Sequence, residues 1–202
     1  MICAQPPRCR APSPFSLPSH LRSLPMSVPS RRLETERLFV DPYSEAYVTP
    51  AYVGWLNDPE VVKYSENRYR TFTLEGCRDY VASFAGSPNY LWAIVRKDSG
   101  QHIGNINAYV DVPNKLADVG IMVGERSCWG GGYGLEAWNA VCTWLLTEAG
   151  MRKVTAGTLD TNIGMKRIME KSDMIPDGRR VRQYINAGEE VDVVYAALFA
   201  AR

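Results

Sequence analysis

Hydrophobic positions in this chain follow two periods. Val119, Ile121 and Val123 alternate as strand residues do, whereas Trp138, Val141, Cys142, Leu145 and Leu146 recur three and four apart. The second pattern predicts an amphipathic helix over 133–149. Strand-like stretches also run from Leu33 to Val40, Tyr90 to Arg96, His102 to Val110, Leu116 to Val123, Lys153 to Leu159, Val181 to Asn186 and Val191 to Phe199. Asp98-Ser99-Gly100 and Ala187-Gly188 read as hairpin turns, and Asp177-Gly178 precedes the last pair of strands. Further helices are expected from Ser44 to Leu56, from Thr73 to about Phe84, and from Gly164 to Lys171. Pro50 divides the first of these; Thr49 can cap the second piece, with proline at its first position. The order predicts an antiparallel meander that runs into the helix at 133, then a strand, a short helix and a closing hairpin.

Between the strand ending at Val123 and that helix stands Cys128-Trp129-Gly130-Gly131-Gly132-Tyr133-Gly134-Leu135-Glu136-Ala137. Glycines open backbone conformations closed to other residues and let a ligand approach the main chain. The helix beginning there offers unpaired N–H groups and a partial positive charge. Together these suit a pyrophosphate. A P-loop would need Lys and Ser or Thr where Leu135 and Glu136 stand. A dinucleotide reading through Gly132, Gly134 and Ala137 lacks the early strand–turn–helix position and the later acid. A glycine-rich turn without a ligand is the remaining alternative.

Composition bounds the answer. The 202 residues suffice for one domain with a core, and 46% hydrophobic with 22% charged residues is ordinary for a globular protein. The net charge of +1 hides an asymmetry: residues 1–32 carry five arginines, no acid and seven of the 13 prolines, and the remainder has 18 basic against 22 acidic residues. The first stretch is too poor in apolar surface to pack. We expect 1–32 to be a disordered extension, with Met26 as an alternative start and a targeting segment as the competing reading. Residues 33–202 form the single domain. A mildly acidic body argues against nucleic acid, and no apolar run is long enough to span a bilayer. The expected setting is the cytoplasm, without a membrane partner, as a monomer or homodimer. Five cysteines do not suggest a disulfide framework, and Cys128 reads as a packing residue. Neither His20 nor His102 has a metal-ligand spacing, so no metal is expected.

The segment Trp129 to Gly134 resembles the acetyl-CoA pyrophosphate loop of the GNAT N-acetyltransferases, with Trp129 where Gln or Arg is usual. The form W-G-x-G-Y-G-x-E-A resembles the RimJ/RimL-like branch. So do the opening Leu33-Glu34-Thr35-Glu36-Arg37-Leu38 and the run Trp55 to Val62. Residues 162–174 follow that branch at Asn162, Glu170 and Lys171 but carry Met165 for a serine and Asp173-Met174 for Gly-Phe. The tyrosine that many relatives carry near Met169 is absent.

The resemblance implies an α/β (α+β) fold: a central mixed, mostly antiparallel twisted sheet of six to seven strands with about four flanking helices, splayed between the fourth and fifth strands. It implies acetyl-CoA as co-substrate, its pantetheine arm paired near Met122 and Val123. Its phosphates would lie on Trp129, Gly130, Gly131, Gly132, Tyr133 and Gly134, with Asn162 and Lys171 beside them. The polar, aromatic segment after the first helices would border the acceptor amine, through Tyr64, Glu66 and Arg68, with Trp92; a solvated loop is the alternative there. Direct attack by the amine needs no enzyme nucleophile, but something must take its proton. Asp118 is the first candidate: it stands 11 residues before Trp129 and shares a strand face with Gly120 and Met122. A structural aspartate paired with an arginine is the competing reading. Asp177 is the second candidate. Two functions follow: an acetyl-CoA-dependent N-acetyltransferase acting on a protein N-terminus, an amino sugar or a small amine, or a non-catalytic acyl-CoA sensor with the same fold.

Overall fold

The computed structural model describes residues 28–201; the greater part of the expected N-terminal extension lies outside them. One sheet of eight strands runs in the order β1-β2-β3-β4-β5-β6-β8-β7. The strands are β1 (Leu33–Glu34), β2 (Leu38–Pro42), β3 (Tyr90–Arg96), β4 (His102–Asp111), β5 (Leu116–Val123), β6 (Lys153–Leu159), β7 (Ile175–Asn186) and β8 (Glu189–Phe199). The helices are α1 (Pro50–Asn57), α2 (Pro59–Val62), α3 (Leu74–Ala82), α4 (Tyr133–Thr147) and α5 (Ile163–Lys171). All neighbouring strands are antiparallel except β5 and β6, which are parallel and joined through α4, as parallel neighbours require a crossover.

The count exceeds the expected six to seven because Leu33 to Val40 is not one strand. Thr35 closes a turn: its N–H donates to Leu38 O at 3.0 Å, and its Oγ1 accepts from Leu38 N at 3.0 Å. The chain folds back so that Leu33 faces Val40. The turn is held from α4. The Glu136 carboxylate accepts from Thr35 Oγ1 at 2.5 Å, Arg37 N at 2.8 Å and Arg37 Nε at 2.7 Å. The second departure is β7, which begins at Ile175 rather than Val181. Irregularities between Pro176 and Gly178 and between Arg180 and Tyr184 interrupt its alternation. The β7–β8 turn, Ala187-Gly188, has positive φ at both residues, 52° and 86°, as a two-residue hairpin favours.

Cross-strand partners share a sheet face, so the register divides the strands cleanly. Trp92, Ile94, Ile106, Val119, Ile121, Val154 and Ala156 lie on one face, where Ala137, Trp138, Val141, Cys142 and Leu145 of α4 cover them. Asn105, Asn107, Tyr109, Asp118, Gly120 and Met122 lie on the other, the face that α1 and α3 cover through Tyr52, Leu56 and Cys77. Thr49 and Thr73 cap α1 and α3 with their side chains, as expected. Arg32 pairs with Asp41 and Arg31 with Glu148 at 2.6 Å, so residues next to β1 are tied to the domain.

The clamp on Glu136 yields a prediction. Burial alone would push its carboxyl up, but the bonds from Thr35 and Arg37 outweigh that and hold it below the ordinary range. Its stabilisation is therefore complete above the ordinary value of 4.5 and is lost as the pH falls through the lower folded value. Glu136→Ala strands the Thr35 and Arg37 donors and should cost roughly 2 kcal/mol at neutral pH. Urea melts at pH 7 and pH 3 test this. A loss that is as large at pH 3 would show that the charge is not its source.

Candidate active site

β5 and β6 pair over three positions only: Leu116 with Lys153, Ala117 with Val154 and Asp118 with Thr155. Past them the strands part, and α4 begins from the far end of β5. At the vertex Thr155 Oγ1 donates to Asp118 Oδ1 at 2.8 Å. Burial pushes the Asp118 carboxyl up, and the Thr155 bond only partly offsets it. No lysine or arginine pairs with Asp118 among the described residues, so the reading of a structural Asp–Arg pair is not what the structure contains. Tyr195 of β8 faces Gly157 in the register. Its ring lies so close that a Cβ on Gly157 would stand 2.7 Å from Tyr195 Cε1.

The glycine turn sits at the open end of β5. Gly130 and Gly132 have φ of 76° and 82°, in the left-handed region that favours glycine. Gly132 is the N-cap of α4 and offers no side-chain cap. Gly134 serves packing: a Cβ there would lie 3.3 Å from both Ile168 Cδ1 and Val123 Cγ2, so α4 starts wedged between β5 and α5. Arg37 donates to Gly131 O at 2.9 Å and stacks on the Tyr133 ring at 4.4 Å. The turn thus combines open main chain, a helix start and a neighbouring cation, which suits an anionic ligand.

Several expected residues take different parts. Trp129 Nε1 donates to Val123 O at 2.8 Å, so the indole fastens the turn to β5 and engages one carbonyl of the main chain near which the pantetheine was expected. Asn162 caps α5 by accepting from Met165 N at 3.2 Å and donates to Thr158 Oγ1 at 3.0 Å; both ends of its amide are spent inside the fold. Lys171 is exposed in the last turn of α5. Trp92 is corrected outright: it lies on the α4 face with no exposure, between Tyr90 and Trp144, and reaches no acceptor. Asp177 pairs with Lys153 Nζ at 2.6 Å on β7, beyond β6 and β8 from Asp118, so the two acids are not brought together.

The segment after α1 bridges the mouth of the cleft. Trp55 packs on Gly124, where a Cβ would meet its ring at 2.1 Å, and Tyr64 packs with Leu159, Val191 and Val193. Arg68 pairs with Glu66 at 3.1 Å, and its Nη2 and Tyr69 Oη both donate to Ile185 O, at 3.2 and 3.0 Å. Arg68 therefore braces this segment against the β7–β8 turn. Cys128 is buried in the core. Among the described residues no cluster of His, Cys, Asp or Glu is arranged to hold a metal, and no helix is long and apolar enough to cross a membrane. The sequence reading missed Tyr195, Thr155 and the Arg37–Glu136 clamp. The alternation Val191-Val193-Tyr195 opposite Gly157 was the available signal for the first.

The turn is open to test. Gly132→Val places a branched Cβ at positive φ and about 3.4 Å from Arg37 Nη2. It should weaken acetyl-CoA binding tenfold or more, about 1.4 kcal/mol, while circular dichroism keeps the wild-type spectrum. An unchanged calorimetric affinity would remove the turn from the ligand site.

Comparison with known proteins places this geometry. The family model described as an acetyltransferase (GNAT) domain matches residues 37–175. No curated protein matches the chain. Among solved structures, RimL, the ribosomal L7/L12 alpha-N-protein acetyltransferase in complex with coenzyme A, is 16% identical; the match covers 84% of this chain and 98% of that one, with a TM-score of 0.74. Ribosomal-protein-S5-alanine acetyltransferase from Vibrio fischeri is also 16% identical, covering 84% and 97%, with a TM-score of 0.73. Spermidine N-acetyltransferase from Vibrio cholerae, in complex with CoA and spermine, is 11% identical, covering 82% and 96%, with a TM-score of 0.73. At these identities the structures speak for the fold, while the family model spans more than half of the chain. This chain belongs to the GNAT family and is an N-acetyltransferase.

Proposed function

We propose that the enzyme moves an acetyl group from acetyl-CoA directly to a primary amine within a ternary complex, with Asp118 as the proton acceptor. The observation that carries this reading is a half-buried carboxylate, without a cationic partner, at the point where β5 and β6 part. The N–H groups of Tyr133, Gly134 and Leu135 have no acceptor among the described residues. With Gly130 and Gly132 at positive φ, they fit the pyrophosphate. The thioester would lie in the gap between β5 and β6, where main-chain N–H groups freed from pairing can stabilise the developing oxyanion.

An alkylammonium cannot attack; it must first lose a proton. A carboxyl raised by burial is a stronger base than an ordinary aspartate and better matched to that task. The neutral nitrogen then attacks the thioester carbon. The carbon–sulfur bond breaks, the nitrogen gives up a further proton, and the departing thiolate gains one. The acceptor is a protein N-terminus, an amino sugar or a small amine. The relatives named above act on a ribosomal protein and on spermidine by their own names. With no membrane-length helix among the described residues, a cytoplasmic setting fits this reading.

Asp118→Asn keeps the shape and the Thr155 bond but removes the basicity. Turnover should fall about 100-fold or more, the usual worth of a positioned base, with acetyl-CoA affinity near wild type. The wild-type rate should drop on acidification through a pKa above the ordinary 3.8, and that limb should vanish in the variant. Stability has the opposite sign. A raised folded pKa means that the folded state resists ionisation, so the contribution of Asp118 to stability is greatest below 3.8 and falls as pH rises towards and through the folded value. Asp118→Asn should therefore melt no lower than wild type at pH 7. Full turnover by the variant would place the base elsewhere; a variant that unfolds would make Asp118 a structural residue.

A further inference from the structure

β7 carries three neighbouring arginines with different company. Arg179 pairs with Asp160 at 3.0 Å and Asp192 at 2.5 Å, and Arg182 pairs with Glu190 at 3.5 Å. Arg180 has no carboxylate partner among the described residues. Its guanidinium carbon instead lies 5.2 Å from the centre of the Tyr195 ring.

The register fixes which way Arg180 points. Arg180 faces Val193, Val193 faces Leu159, Tyr195 faces Gly157, and Thr155 faces Asp118. Partners across a sheet and every second residue along a strand share a face. Arg180, Tyr195 and Asp118 are therefore on one face, that of α1 and the acceptor side. Tyr195 lies between the other two, close enough to both for their charges to bear on its phenol. A carboxylate at the cleft vertex and a guanidinium farther out, which meets the tyrosine but no carboxylate, are thus separated by a flat aromatic ring. The far end of β7 borders a second surface of the same sign. A cavity of about 360 Å³ between 56–71 and Asn186 is lined by Lys63, Arg68 and Arg70 and by no carboxylate. Glu60 answers Lys63 and Glu66 answers Arg68; Arg70, like Arg180, is unanswered among the described residues.

We infer that Arg180 binds an anionic group, a carboxylate or a phosphate, carried by the amine acceptor, with Tyr195 as the platform that spaces it from the amine at Asp118. This rests on the acetyl transfer proposed above and narrows its acceptor. A guanidinium suits either anion through paired N–H donors. The same surface would repel a polyamine, which brings positive charge at both ends.

Matched acceptors decide the matter: an amino acid against its amide for carboxylate, glucosamine 6-phosphate against glucosamine for phosphate, and spermidine as the polycation. The wild-type enzyme should favour the anionic member of at least one pair about tenfold or more in kcat/KM. Which pair responds identifies the anion. Arg180→Ala should collapse that preference through KM for the anionic member, and Arg180→Glu should turn it towards the neutral member, both with an unchanged melting temperature. Calorimetric binding of the same probes to the CoA-bound protein gives a readout that needs no turnover. Binding of an anionic probe that Arg180→Ala abolishes supports the inference even if no probe is acetylated; in that case it is the acetyl-transfer reading that fails. Preference for the neutral member or spermidine, a preference untouched by Arg180→Ala, or no binding of either anionic probe overturns the inference.

Discussion

Everything functional in this fold follows from two parallel strands that stop pairing. Leu116–Asp118 of β5 and Lys153–Thr155 of β6 join the two halves of the sheet, and past Asp118 and Thr155 the strands no longer pair. An unpaired main chain inside a protein is costly unless something answers it. The fold keeps the gap open from both sides. α4 and α5 wedge against the outer half of β5 through Gly134, and β8 carries the outer half of β6 away with it. The gap therefore exists before any ligand arrives, and its main-chain groups are the ones the proposed function assigns to the thioester arm.

The second constraint is electrostatic and local. The residues that orient the glycine turn are fully satisfied within the protein. Glu136 collects Thr35 and Arg37, Arg37 also reaches Gly131 O, and Trp129 takes Val123 O. Other groups are less fully engaged: the first N–H groups of α4, the half-buried Asp118, which meets Thr155 alone, and the guanidinium of Arg180, which meets the Tyr195 ring and no carboxylate. Structure is spent on holding the turn still, and free polar capacity is kept for ligands.

Much of this could be read from residue order. Alternation located the strands of the meander, Thr49 and Thr73 marked helix starts, and the glycines marked the turn. What could not be read depended on partners distant in sequence. Thr35 to Arg37 look like strand residues until Glu136, about a hundred positions on, holds them in a turn. Trp92 belongs to a run that is apolar on both faces, so alternation could not tell the α4 side from the acceptor side. Asp177 stands in a promising local pattern, but Lys153 claims it from a strand that local pattern does not reveal. β7 hid its first half because bulges at Gly178 and beyond Arg180 break the period on which strand recognition depends.

The β7–β8 hairpin carries one more implication. The match to the family model ends at residue 175, where β7 begins. Before that point lie the glycine turn, the vertex, α4 and α5; beyond it lie Arg180 and Tyr195. Arg180 and Tyr195 thus stand on a single hairpin, β7–β8, that joins the rest of the sheet only through β6. Under the acetyl-transfer reading proposed above, substitutions on that hairpin alter the anion site while leaving the glycine turn and the β5–β6 vertex in place.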